Sequence, residues 1–191
     1  ASDVYKRQGH LNPAVTLMLA VNGSLEWSLV PYYALGQILG AMVGAFLAWA
    51  AFKQLFDANN VDDAGNTTGA NASTGGIFFT NPAHPNNGWN AVTEFIATCV
   101  LLMFIAFGPT GGELGPLSYF GVAFVVVAVG LSLGTPTGYA INPVRDLGPR
   151  LMYAFVLPIK DKGTANWSYA WVPVVAPLLA AVAVGLLSMA L

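Results

Sequence analysis

Charge is what this sequence has least of. Of its 191 residues only 8% are Asp, Glu, Lys or Arg, against roughly 25% in a soluble domain, whose surface needs that charge to stay wet. The shortage argues against a water-exposed globular surface. Seven cationic residues against nine acids leave a net charge of −2, so there is no polybasic surface and nucleic acid is excluded as a partner. A single cysteine, Cys99, cannot close an internal disulfide or build a cysteine-ligated zinc site. It stands in an apolar run and reads as a small buried hydrophobe. No nucleophile, base and orienting group converge, so an enzyme ranks last among the function classes, and no cofactor or metal is implied.

What is abundant is apolar surface: 55% of the residues are hydrophobic and the mean hydropathy is +0.61. Stretches 29–52, 89–107, 117–133 and 171–191 approach or exceed the roughly 20 apolar residues that cross a bilayer. Trp27, Trp89, Trp167, Tyr169 and Trp171 lie near their ends, where amphipathic rings sit among head groups. Gly36, Gly40 and Gly44 repeat every fourth residue and predict a bare helix face against which another helix packs. Residues 57–88, rich in Asn, Gly, Thr, Ala and Asp, show no periodicity and read as a solvated loop. Shorter connections fall at 21–28, 108–116 and 157–168.

Two apolar pieces, 12–21 and 142–153, are too short to span. At 1.5 Å per residue each reaches about 15 Å, half of the ~30 Å hydrocarbon core. Both start alike: Gly9-His10-Leu11-Asn12-Pro13-Ala14 and Gly138-Tyr139-Ala140-Ile141-Asn142-Pro143-Val144. Asn is a favoured helix cap, and Pro at the first helical position loses no needed hydrogen bond. One such pair is an ordinary helix start. Two of them, on half-length helices, would bring two partial positive ends to the bilayer midplane, with extended segments turning carbonyls along one path. Irregular backbone at that depth survives only where it is buried or lines a wet cavity, and interrupted segments in two halves point to a transport site.

At these residues the chain resembles the aquaporin, or major intrinsic protein, family, most closely its glycerol facilitators, over residues 9–191, nearly the whole chain. The resemblance implies an all-α membrane protein: an aquaporin-like bundle of four full spans and two re-entrant half-helices, where the family has six spans. The chain then reads as one channel domain, 1–191, lacking its first two spans, with residues 1–8 a polar stub foreign to it. The Asn-Pro boxes are Asn12, Pro13, Ala14 and Asn142, Pro143, Val144, the last standing where the family has Ala. Carbonyls of Gly9, His10, Leu11, Gly138 and Ala140 are implied to line the path, with the His10 side chain supporting its loop. Gly130, Tyr139 and Arg145 are implied to form the selectivity constriction. Glycine at 130 leaves room for a three-carbon solute where water-selective members carry His; Tyr139 stands where facilitators more often have Phe. Arg145 offers donors to hydroxyls and repels cations and protons.

Two acids take supporting roles. Asp146 is expected to hold loop geometry, and Glu94, the one acid inside a span, to accept hydrogen bonds from half-helix backbone. The resemblance further implies a passive channel for glycerol, other small neutral solutes and water, assembled as a homotetramer in the plasma (inner) membrane, with loops 57–88 and 157–168 outside. Two alternatives stand beside it: a proton-coupled transporter using Glu94 as carrier, and a non-conducting structural membrane protein.

Overall fold

The computed structural model describes residues 9–108 and 117–191. The expected stub at 1–8 and all but the first residue of the connection at 108–116 lie outside the described residues. In chain order the helices are α1 (Pro13–Val21), α2 (Val30–Ala51), α3 (Lys53–Asn59), α4 (Gly75–Phe78), α5 (Asn87–Phe107), α6 (Leu117–Thr137), α7 (Pro143–Leu151) and α8 (Val172–Ala190). Four helical segments are long and apolar enough to cross a bilayer: Trp27–Ala51, Asn87–Phe107, Phe120–Thr137 and Val172–Ala190. Among the described residues the bundle is all-helical apart from an isolated bridge between Val61 and Thr67.

α1 and α7 are nine residues each, about 14 Å long and under half the thickness of the hydrocarbon core. Proline starts both, capped by an extended Asn whose side chain takes an orphan amide: Asn12 from Ala14, Asn142 from Val144 and Arg145. α7 ends in a π-turn, Met152–Val156.

Small residues let the short helices sink into the bundle. Ala14, Val15 and Met18 of α1 pack with Leu102 of α5 and with Ala180, Ala181 and Val184 of α8. A Cβ on Gly185 would stand 2.8 Å from Val21, and one on Gly148 only 2.7 Å from the Ala41 methyl. These approaches fix α8 on α1 and α7 on α2. Cys99, half-buried, packs against the first cluster. Outward-facing Leu35, Leu39, Val43, Leu179 and Leu186 are exposed, the expected state of side chains that meet lipid.

Two sequence expectations change. The glycine face of α2 is not covered: a Cβ on Gly36, Gly40 or Gly44 would meet nothing within 4 Å among the described residues. The close contact of this helix falls instead one residue from Gly40, at Ala41. The segment 57–88 is not simply a solvated loop either, since it carries the end of α3, a 3-10 turn at Ala70–Ser73 and α4. Phe78, Phe79, Thr74 and Thr80 within it are buried, Phe78 and Phe79 against Tyr153, Leu157 and Ile159. Two adjacent aromatics are enough to pull an otherwise polar segment inward. The third span, short by itself at 117–133 and expected to gain a few residues, runs on to Thr137, tolerating Pro136 in its final turn.

Candidate functional site

The two half-helices meet cap to cap. Asn12 Nδ2 donates to the Ile141 carbonyl at 2.8 Å, and Asn142 Nδ2 donates to the Leu11 carbonyl at 2.8 Å. Each amide thus caps its own helix through oxygen, at 2.9 Å to Ala14 N and 3.2 Å to Val144 N, and grips the opposite segment through nitrogen. A carboxamide carries two N–H donors, so each cap keeps one beyond the cross-link. Asn12 is buried, whereas Asn142 reaches the cavity described below.

The segments leading into the caps are held in unusual backbone. Leu11, Tyr139 and Ile141 have φ of 53°, 41° and 42°, and Gly138 has 76°. Left-handed backbone at a β-branched residue such as Ile141 is an outlier that persists only when surroundings over-determine it, at roughly 1–3 kcal/mol. Glu94 does much of this. Fully buried on α5, it accepts from Ala140 N and Ile141 N, both at 2.9 Å. A buried carboxylate is tolerable only with such donors. On the other half, His10 Nδ1 shares a hydrogen bond of 3.1 Å with Thr16 Oγ1, and its ring stacks on Tyr33 at 4.5 Å. Gln37 of α2 also donates to Thr16 Oγ1, at 3.0 Å.

A cavity of about 590 Å³ opens beside the caps, lined by Gly9, His10, Leu11, Asn142, Val144 and Arg145 with Tyr32, Tyr33, Gly36, Gln37, Gly40 and Ala41 of α2. The bare glycine face therefore borders a cavity. Arg145 Nη1 donates to the Phe78 carbonyl at 3.3 Å. Gly130 and Tyr139 are not among the lining residues and pack on each other: a Cβ at Gly130 would lie 2.8 Å from Tyr139 Cζ, and one at Gly134 2.8 Å from Cδ1. Ala140 is buried, and Gly138 rests on Thr80.

Sequence reasoning passed over a buried ionic cluster behind Arg145. Asp146 and Arg150 pair at 2.7 Å with both side chains at 0% exposure. Asp146 Oδ2 also accepts from Thr80 N and Thr80 Oγ1, at 2.8 and 2.7 Å. Arg150 donates to the carbonyls of Thr80, Ala165 and Asn166 at 2.9, 2.5 and 3.1 Å, with its guanidinium 4.2 Å from the Phe79 ring centroid. Tyr169, in the loop before α8, is buried nearby. Burial, then the Glu94 and Asp146 carboxylates, push its phenol above the ordinary range. The one available signal was Arg150 four residues after Asp146, a helical ion-pair spacing.

Known proteins resemble this chain in sequence and in fold. The model of the family described as Major intrinsic protein matches residues 8–188. The glycerol uptake facilitator protein of Streptococcus pneumoniae (strain R6) is 44% identical over 173 residues, 90% of this chain and 69% of that protein. The glycerol uptake facilitator protein of Bacillus subtilis is 44% identical over 171 residues, 89% of this chain but 58% of its own. Among solved structures, the aquaglyceroporin from Plasmodium falciparum superposes with a TM-score of 0.75 at 26% identity, covering 93% of this chain and 70% of that one. With its two capped half-helices, its apolar spans and these relatives, the chain belongs to the major intrinsic protein family.

Proposed function

We propose that the protein is a passive channel conducting glycerol, other small neutral solutes and water, and excluding ions and protons. The observation that carries this reading is the reciprocal cross-link of Asn12 and Asn142. Two helix N-termini facing one point leave partial positive charge there, which disfavours a cation. The remaining amide N–H of Asn142 is a donor to a passing hydroxyl or water, and a water held by such donors at the midplane cannot relay a proton in both directions. The names of the relatives, glycerol uptake facilitators and an aquaglyceroporin, support glycerol as the solute.

Gly9, His10 and Leu11 on one side, and Gly138 and Ala140 on the other, supply carbonyl acceptors along the path. Arg145 presents guanidinium donors to the hydroxyl edge of a polyol, while Tyr139, seated on Gly130, faces its carbon edge. Glu94 and Asp146 hold backbone and take no part in binding. Glu94 has both carboxylate oxygens committed to backbone amides, which favours this support role over proton carriage. The channel works as a homotetramer in the plasma membrane, as the family resemblance implies.

Stopped-flow light scattering on proteoliposomes carrying the complete channel tests the proposal. Glycerol permeability well above that of protein-free vesicles, without added proton leak, is expected. Permeability at the protein-free level would contradict it.

A further inference from the structure

We propose that the buried Asp146–Arg150 pair, acting through Thr80, is a positioning device for Arg145. The inference rests on the channel reading, in which Arg145 sets the constriction. Among the described residues, the only hydrogen-bond acceptor for the Arg145 guanidinium is the Phe78 carbonyl, at 3.3 Å. Where that carbonyl stands therefore decides where the charge stands.

Phe78 ends α4: the Phe79 N–H of the same peptide unit makes the last helical hydrogen bond, to Gly75 O at 3.1 Å, and from Phe79 on the chain is extended, so the helix fixes the acceptor from its N-terminal side alone. On the other side the hold lies two residues on. Thr80 gives its N–H and its hydroxyl to Asp146 Oδ2, at 2.8 and 2.7 Å, and its carbonyl accepts from Arg150 Nη2 at 2.9 Å. The Phe79 ring is covered by the Arg150 guanidinium at 4.2 Å. All polar groups of Thr80 are thus tied to α7, the helix whose first turn carries Arg145. Asp146 is also its immediate chain neighbour.

The contacts close a ring: Arg145 to Phe78, along the chain to Thr80, across to Asp146, and back to Arg145. Arg150 extends it to Ala165 and Asn166, so the segment before α8 holds the same clamp. Charge-assisted hydrogen bonds to a buried carboxylate are short and directional, and a fully satisfied buried network specifies one arrangement. Releasing Thr80 lets the Phe78 carbonyl drift and frees Arg145 to swing within the cavity it lines.

The test uses Thr80→Val, which removes only the hydroxyl, and Asp146→Asn, which removes the charge, each alone and combined with Arg145→Ala. Two quantities are read on the complete channel. The glycerol-to-water permeability ratio is independent of how much protein folds, so a merely structural role would not move it. Modification of Arg145 by phenylglyoxal, followed by mass spectrometry, needs no flux at all. The expected result is severalfold faster modification of Arg145 in both single variants. The permeability ratio should shift in the direction that Arg145→Ala shifts it, with no further shift in the combined variants. An unchanged modification rate and ratio in folded Thr80→Val would overturn the proposal, even if Asp146→Asn fails to fold. So would a ratio shift that adds to that of Arg145→Ala, because the pair would then act elsewhere. A wild-type protein carrying no glycerol would sink the channel reading alone, and the modification rates would still decide the clamp.

Discussion

Tyr139 lies across Gly130, so closely that a Cβ at Gly130 would stand 2.8 Å from the ring's Cζ. Glycine at this position therefore does two things in the proposed constriction: it adds no side chain, and it provides the seat that holds the tyrosine ring back. Gly130→His should fill the path twice, with its own ring and with a displaced Tyr139. Glycerol permeability is expected to fall by about tenfold or more, equivalent to about 1.4 kcal/mol of added barrier, with water reduced far less. Equal losses for both, by light scattering on one vesicle preparation, would refute the steric account.

The same ring rests on Gly134, where a Cβ would come within 2.8 Å of Tyr139 Cδ1. Gly134→Ala should then lower the glycerol-to-water ratio in the same direction, by less, because one methyl shifts the ring without entering the path. An unchanged ratio would show that Tyr139 has room to spare.

The caps give a third expectation. Asn12→Asp replaces the amide that donates to Ile141 O at 2.8 Å, and Asn142→Asp the one that donates to Leu11 O, by an acceptor facing an acceptor. A charge also enters at a half-helix end. Solute flux should drop sharply in either variant, and in Asn12→Asp, where both partners are buried, assembly should weaken by the roughly 1–3 kcal/mol that a buried, unmatched polar group costs. Near-normal flux in well-folded protein would reduce both residues to ordinary helix caps.

Glu94 offers a fourth. In Glu94→Gln one of the two amides at Ala140 and Ile141, each now 2.9 Å from a carboxylate oxygen, would face an NH₂ group. Thermal unfolding in detergent should register a loss of roughly 1–3 kcal/mol for the unsatisfied donor. Undiminished stability would mean that the left-handed backbone at Ile141 is held by other contacts.

Packing supplies the fifth. Gly148 sits where a Cβ would come within 2.7 Å of the Ala41 methyl, so Gly148→Ala overpacks the α7–α2 contact. A destabilisation of about 1–3 kcal/mol is expected, read by the same unfolding assay. No change would mean that α2 yields freely there.

Much of this was legible in the chain, and for definable reasons. Apolar runs of spanning length report directly on helices such as α5 and α8, and an Asn-Pro pair carries both its cap and its first turn within two adjacent residues. The left-handed backbone at Leu11 and Ile141 was not legible, because neither residue type favours it and only distant partners impose it. Thr80 and Arg150 escaped for the same reason: 70 residues separate the partners of their hydrogen bond, and no local period announces it. The α2 glycines misled because a spacing of four predicts a smooth face without saying what covers it, and Gly36 and Gly40 border the cavity instead. Phe78 and Phe79 were the signal that segment 57–88 turns inward, two adjacent aromatics that a composition dominated by Asn and Gly concealed.

The most direct test of the account is the response of glycerol movement to a proton gradient. Proteoliposomes carrying the complete channel would be loaded at one pH and diluted into another, with external glycerol set equal to internal glycerol. A passive channel binds no proton in its cycle, so no net glycerol movement should follow and uptake rates should depend on the glycerol gradient alone. Accumulation of glycerol against its gradient, driven by the imposed pH difference, would contradict the account and make Glu94 a carrier.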